Sequence, residues 1–158
     1  MANTQSMCTS FMGELLTATH NFGTAPTRAS TAADTFKAAL YYTTATLNAS
    51  TTAYSATGEV SGTNYSAGGI SVTNATAPTA TNSSSTAGVA YWTPSASFTY
   101  TNVTITTAFD TVLIYNSTQS NKAVSVHTFG SQTVTAGTFT LTMPTNNTSS
   151  ALLRLATT

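Results

Sequence analysis

The chain has 158 residues, four basic and four acidic side chains and zero net charge, with only 5% of residues charged against a usual share of about 25%. That balance builds no basic patch for nucleic acid and gives no electrostatic pull toward an anionic membrane or an acidic partner. The polar share is carried instead by 38 Thr and 19 Ser, and the 41% of apolar residues is too high for a disordered stalk.

The first predicted element is a short helix in "TSFMGELLTATHNF", where Phe11, Leu15, Ala18 and Thr19 fall near helical spacing and Thr9 or Ser10 could cap it. It contains Gly13 and is too short to stand alone. Residues 1 to about 30 therefore read as an N-terminal arm or short helix, set apart from a β domain over residues 31–158. "DTFKAALYYTTAT" fits helix or strand by spacing, and its aromatic and Thr content tips it to strand. Residues 51–72, "TTAYSATGEVSGTNYSAGGISV", hold four glycines and one carboxylate, with "ISVTNA" as the strand that follows. Residues 76–88 read as a loop without a hydrophobic anchor, and "VAYWT" as a short strand with the only Trp. In "SFTYTNVTIT" the alternation shifts phase between Tyr100 and Val103, which is what a β-bulge produces. "AFDTVLIYN" is the most apolar run and reads as a central strand, turned by "NSTQSN" into "KAVSVHTF". "TAGTFTLTMP" has strict period two, with Phe139, Leu141 and Met143 on one side, and "SALLRLA" is a last short strand. Seven or so short strands make an all-β chain, a single β-sandwich of immunoglobulin-like or jelly-roll type.

The ionisable inventory is Glu14, Asp34, Glu59, Asp110, His20, His127 and Cys8. A triad of His127, Asp110 and one of the serines can be imagined, but so many serines make a match on residue type meaningless, and no G-x-S-x-G elbow occurs. The histidines are far apart and no carboxylates have ligand spacing, so no metal site is expected. The glycines precede no Lys-Ser/Thr and cradle no phosphate. Glu59, among glycines and tyrosines, reads as a carboxylate that hydrogen-bonds the backbone of its own turn. Tyr54, Tyr65, Tyr91 and Trp92 could stack on sugars, or pack at an interface or a sandwich edge. Catalytic, cofactor-binding and metal residues are thus all expected to be none. Cys8, the only cysteine, forms no disulfide within the chain, and no signal peptide or membrane span is evident. Synthesis in a cytoplasm follows, and the eight N-x-S/T sites are then not glycan acceptors. A near-uncharged chain has little electrostatic protection against association, which points to life in an assembly.

Two stretches carry a resemblance: residues 35–72, "TFKAALYYTTATLNASTTAYSATGEVSGTNYSAGGISV", and residues 109–144, "FDTVLIYNSTQSNKAVSVHTFGSQTVTAGTFTLTMP", followed by "ALLRLA". In pattern and order they resemble a family of small virion structural proteins of tailed bacteriophages. The resemblance implies a virion component and, more finely, a head decoration or cement protein on the capsid exterior. Its implied partners are the major capsid protein or neighbouring virion subunits, and copies of itself. It brings no cofactor and no catalytic residue. A tail, fibre or baseplate component that binds a host glycan is the alternative from another class, and a hydrolase is the third.

Overall fold

The computed structural model describes residues 3–16, 19–22, 33–73, 78–81 and 88–156. Their elements are β1 (Ser6–Met7), α1 (Thr9–Leu16), β2 (Phe36–Tyr42), β3 (Ile70–Ser71), β4 (Thr79–Ala80), β5 (Val89–Trp92), β6 (Phe98–Asn116), β7 (Lys122–Leu141) and β8 (Leu153–Ala156). They form two antiparallel sheets, one in the order β1-β7-β6-β2-β3 and one in the order β4-β5-β8. The chain is all-β and sandwich-like, with one short helix.

The apolar run in β6 is the middle strand of the large sheet, as its composition demands. It is buried on both faces from Thr111 to Asn116. Phe36, Ala38 and Leu40 of β2 lie opposite Asn116, Ile114 and Val112 of β6, so these side chains share one face. That face meets the small sheet. Phe22 bridges the layers, stacked on Phe36 at 4.3 Å and edge-on to Trp92 of β5 at 4.8 Å. The other face carries Tyr41 and Tyr115 and is roofed by residues 43–69. Tyr54 in that roof stacks on Tyr115 at 4.7 Å.

The Thr-rich strands are longer and fewer than the sequence suggests. "SFTYTNVTIT" and "AFDTVLIYN" are one strand, β6, and the two stretches after it merge into β7. Each breaks in alternation that reads as a boundary is a register shift inside one hairpin. The expected bulge is there: the pairing slips between Tyr100 and Val103, with Asn102 at φ 52°. A second slip places Ala136 at φ 45°. The period-two reading of Phe139 and Leu141 against Thr138 and Thr140 also holds, with the former half-buried and the latter exposed.

Three expectations are corrected. Residues 78–81 do not belong to a plain loop, because Thr79 and Ala80 pair with Tyr91 and Ala90 as β4. The N-terminal residues 3–16 are not set apart from the sandwich. Ser6 and Met7 pair with Val126 and Ser125 of β7, the Cys8 N–H donates to the Val124 carbonyl at 3.1 Å, and Cys8 and Phe11 are buried in the common core. A marginal helix can form here because tertiary burial of Phe11 supplies what propensity does not. Ser10 does not cap α1. It lies inside the helix, and its buried hydroxyl has no hydrogen-bond partner among the described residues. Ala18, which completes the predicted helical spacing, lies outside the described residues.

Candidate functional site

The roof over the large sheet is organised by Glu59. Its carboxylate is buried and accepts three hydrogen bonds: from the Tyr54 hydroxyl at 2.6 Å, the Tyr65 hydroxyl at 2.8 Å and the Gly68 N–H at 2.7 Å. Gly69 has φ +71°, and a Cβ there would collide with the Ala38 carbonyl, so only glycine lets the roof come down onto β2. Tyr65 also accepts the Leu40 N–H at 3.0 Å, and Tyr115 donates to the Gly68 carbonyl at 2.8 Å. Burial, and then the Glu59 charge, pushes the Tyr115 phenol up to about 12, and the same two causes raise Tyr65. The expectation that Glu59 bonds only its own turn is too narrow, since it gathers partners from both ends of the stretch. Tyr54 and Tyr65 are thus turned inward, half-buried, each with one ring face already stacked, on Tyr115 and on Tyr100.

The imagined triad does not assemble. The Ser125 hydroxyl lies 2.9 Å from His127 Nε2, but Asp110 bonds elsewhere, accepting from Asn3 Nδ2 at 3.0 Å and from the Thr111 hydroxyl at 2.7 Å. Ser125 is buried mid-strand, where a substrate cannot reach it. Burial drives His127 down to about 4, so the ring is neutral near pH 7. The Cys8 thiol is pushed up to about 11 by burial and then by the Glu14 carboxylate, and is fully enclosed. It is a packing residue rather than a nucleophile. Among the described residues no three His, Cys, Asp or Glu side chains gather as a metal site requires. No described helix is long and apolar enough to cross a membrane.

Sequence reading missed a second polar cluster. Glu14 of α1, His20, Asp34, and Asn116 and Lys122 at the ends of the β6–β7 turn come together under the N-terminal segment. Lys122 Nζ donates to Glu14 at 2.6 Å, Glu14 lies 2.7 Å from His20, and Asn116 donates to Asp34 at 2.8 Å. Burial alone would raise the Glu14 carboxyl, but the bonds from Lys122 and His20 outweigh it and hold its pKa below the ordinary value. No local motif announces this cluster, because its members lie up to 108 positions apart.

The remaining candidate features are surfaces. Met7, Phe11, Phe22, Tyr91, Trp92 and Leu155 are among the residues lining an apolar groove of about 110 Å³. Leu155 is the one large apolar side chain left exposed among the described residues. Along β7, one side pairs with β6 throughout. On the other side, among the described residues, β1 pairs at Ser125 and Val126, the Cys8 N–H reaches the Val124 carbonyl, and Ala53 bridges to Lys122 with the Ala123 N–H on the Thr52 carbonyl. The rest of that edge, with the chain that follows it, belongs to residues 123–153, which contain no Asp, Glu, Lys or Arg. Free edges are ordinarily guarded by Lys, by Pro or by inward charges. Here the devices are two register shifts, one between Thr128 and Gln132 and one at Ala136, and regular pairing with β6 resumes beyond them at Phe139, Thr140 and Leu141. No protein-family model matches this chain, and no significant match to it occurs among curated proteins or solved structures.

Proposed function

We propose that this chain is a non-enzymatic structural protein of a bacteriophage virion, a capsid decoration protein that binds the major capsid lattice from outside and associates with copies of itself. The observation that carries the reading is the long, charge-free edge of β7. A strand from a neighbouring subunit can add to such an edge through main-chain hydrogen bonds, with the alternate side chains supplying specificity. The resemblance of residues 35–72 and 109–144 to small phage virion proteins points the same way. The mechanism is mass action: a protein that binds only the assembled shell stabilises that shell by an amount that grows with the logarithm of its free concentration over its Kd. Apolar burial at the contact adds roughly 25 cal/mol per Å².

The glycan-binding alternative has one observation in its favour. Thr44, Thr46, Thr51, Ser55 and Thr57 help line a hydroxyl-rich depression of about 370 Å³. Its aromatic wall, Tyr41, is only 1% exposed, and Tyr54 and Tyr65 face inward. Without a stacking platform the depression is the weaker reading. Co-sedimentation with capsids stripped of the chain separates the two. Saturable binding at a simple ratio to the capsid subunit is expected. Absence of binding together with a positive glycan array would reverse the order.

A further inference from the structure

The polar cluster beneath the N-terminal segment takes no part in the proposed surface, and its hydrogen-bond logic is unusually constrained. The His20 side chain is fully buried, edge-on to Phe11 at 4.8 Å and stacked with Phe36 at 6.3 Å. Its Nε2 lies 2.7 Å from Glu14 Oε2 and its Nδ1 lies 3.0 Å from Asn116 Nδ2. The Asn116 amide is oriented independently of the ring, because its Oδ1 accepts the backbone N–H groups of Thr118 and Gln119, each at 3.1 Å. Its Nδ2 must therefore donate, one hydrogen to Asp34 Oδ2 at 2.8 Å and the other to His20 Nδ1. A ring nitrogen that accepts carries no proton. His20 is thus neutral, with its single proton on Nε2 and donated to Glu14.

A second proton could go only to Nδ1, where it would meet the Asn116 NH₂, donor against donor. Rotating that amide would aim its oxygen at the Asp34 carboxylate and its NH₂ at two backbone N–H groups. Among the described residues, the charged groups around the ring are Glu14 from α1, Asp34 from the segment before β2 and Lys122 from β7. The two anions favour the proton and the cation opposes it. Burial is the largest influence, and the net effect holds His20 below its ordinary pKa. Protonation therefore costs this cluster the Asn116–His20 hydrogen bond and sets two donors face to face, while the β2–β6–β7 pairing does not depend on it.

We propose that His20 is a proton-sensitive latch: neutral, it clasps the β1–α1 segment to the β6–β7 turn, and on protonation it releases that segment while the rest of the large sheet stays folded. Release would bare the outer edge of β7 at Ser125 and Val126, and the Phe22 and Trp92 floor of the apolar groove. Mild acid would then lengthen the free edge and uncover apolar surface.

Amide exchange of the intact chain, followed by mass spectrometry between about pH 7.5 and about pH 5 and corrected for intrinsic rates, tests this. Once His20 titrates, protection at Cys8, whose N–H pairs with Val124, should fall about tenfold per pH unit and stay well below that of Leu113 in β6, which opens only on global unfolding. His20→Phe keeps a ring among Phe11, Phe22 and Phe36 but cannot gain a proton, so its Cys8 protection should be independent of pH. Unchanged Cys8 protection in the wild-type chain overturns the latch, as does Cys8 protection equal to that of Leu113 throughout. Wild-type pH dependence persisting in His20→Phe overturns it too. Nitrogen-15 imidazole spectra of the wild-type chain at neutral pH give a check that needs no variant. They should show a neutral ring protonated at Nε2, and an Nδ1–H tautomer or a charged ring would refute the latch.

Discussion

The Glu59 carboxylate accepts the backbone N–H of Gly68 at 2.7 Å, nine residues further along the chain, and so closes the roof over the large sheet. A buried carboxylate with three donors is satisfied, and it ties the two tyrosine-bearing ends of one irregular stretch to a single point. Glu59→Gln keeps the shape but puts an NH₂ where at least one donor now points. The expected loss is about 1–3 kcal/mol, read from the urea midpoint. An unchanged midpoint would mean that the carboxylate does not hold the roof.

The same roof sets the alkaline limit. Tyr115 titrates at about 12 in the folded chain, against an ordinary value of 10. The folded state therefore holds its proton longer than the unfolded state does. The associated stability is fully present below pH 10 and is lost as pH rises toward 12. Tyrosinate absorbance and circular dichroism should change together in that window. Tyrosinate signal complete near pH 10 with the fold intact would contradict the burial of these phenols.

The acid limit has the opposite sign. His127 titrates at about 4 in the folded chain, against 6.5 ordinarily, and His20 is lowered as well. Over that interval the unfolded state binds more protons, so stability falls as pH drops from 6.5 toward 4. Melting temperature against pH should slope accordingly. His127→Gln should flatten part of that slope, and an unaltered slope would place the titration elsewhere.

Trp92 is 2% exposed and reaches the large sheet through Phe22. Trp92→Ala should cost about 3–5 kcal/mol by urea unfolding followed by circular dichroism. A loss under about 1 kcal/mol would mean that the two sheets are not held by this aromatic bridge.

Much of this fold can be read from residue pattern. The strand β2, the bulge after Tyr100 and the alternation through Phe139 and Leu141 are local, and side-chain period reports them directly. What escaped is non-local. Register shifts between Ile105 and Phe109 in β6 and between Thr128 and Gln132 in β7 hide the continuity of these strands, since a change of phase looks like an end. Thr79 and Ala80 pair as β4 although both are exposed, so no hydrophobic signal marks them. The N-terminal segment looks separate because its partners, Val124 and Val126, come more than a hundred positions later. Of the candidate features, the lack of charge is plain in the composition. The His20 cluster is invisible without the fold, because Asn116 lies 96 residues from His20.

Thr138 is exposed on the free part of β7. Thr138→Lys places a charge on the edge that the proposed contact uses, and edge lysines are a natural guard against strand addition. Capsid attachment and self-association should weaken at least about tenfold, with melting unchanged within about 0.5 kcal/mol. Full attachment would move the contact away from β7.

The central claim is a place on the capsid lattice, and copy number tests it most directly. Quantitative mass spectrometry of purified virions would give the ratio of this chain to the major capsid protein. A ratio near one, or a simple fraction such as one third, is the predicted result. A few dozen copies or fewer per virion would contradict it and put the chain on the tail or at the vertices.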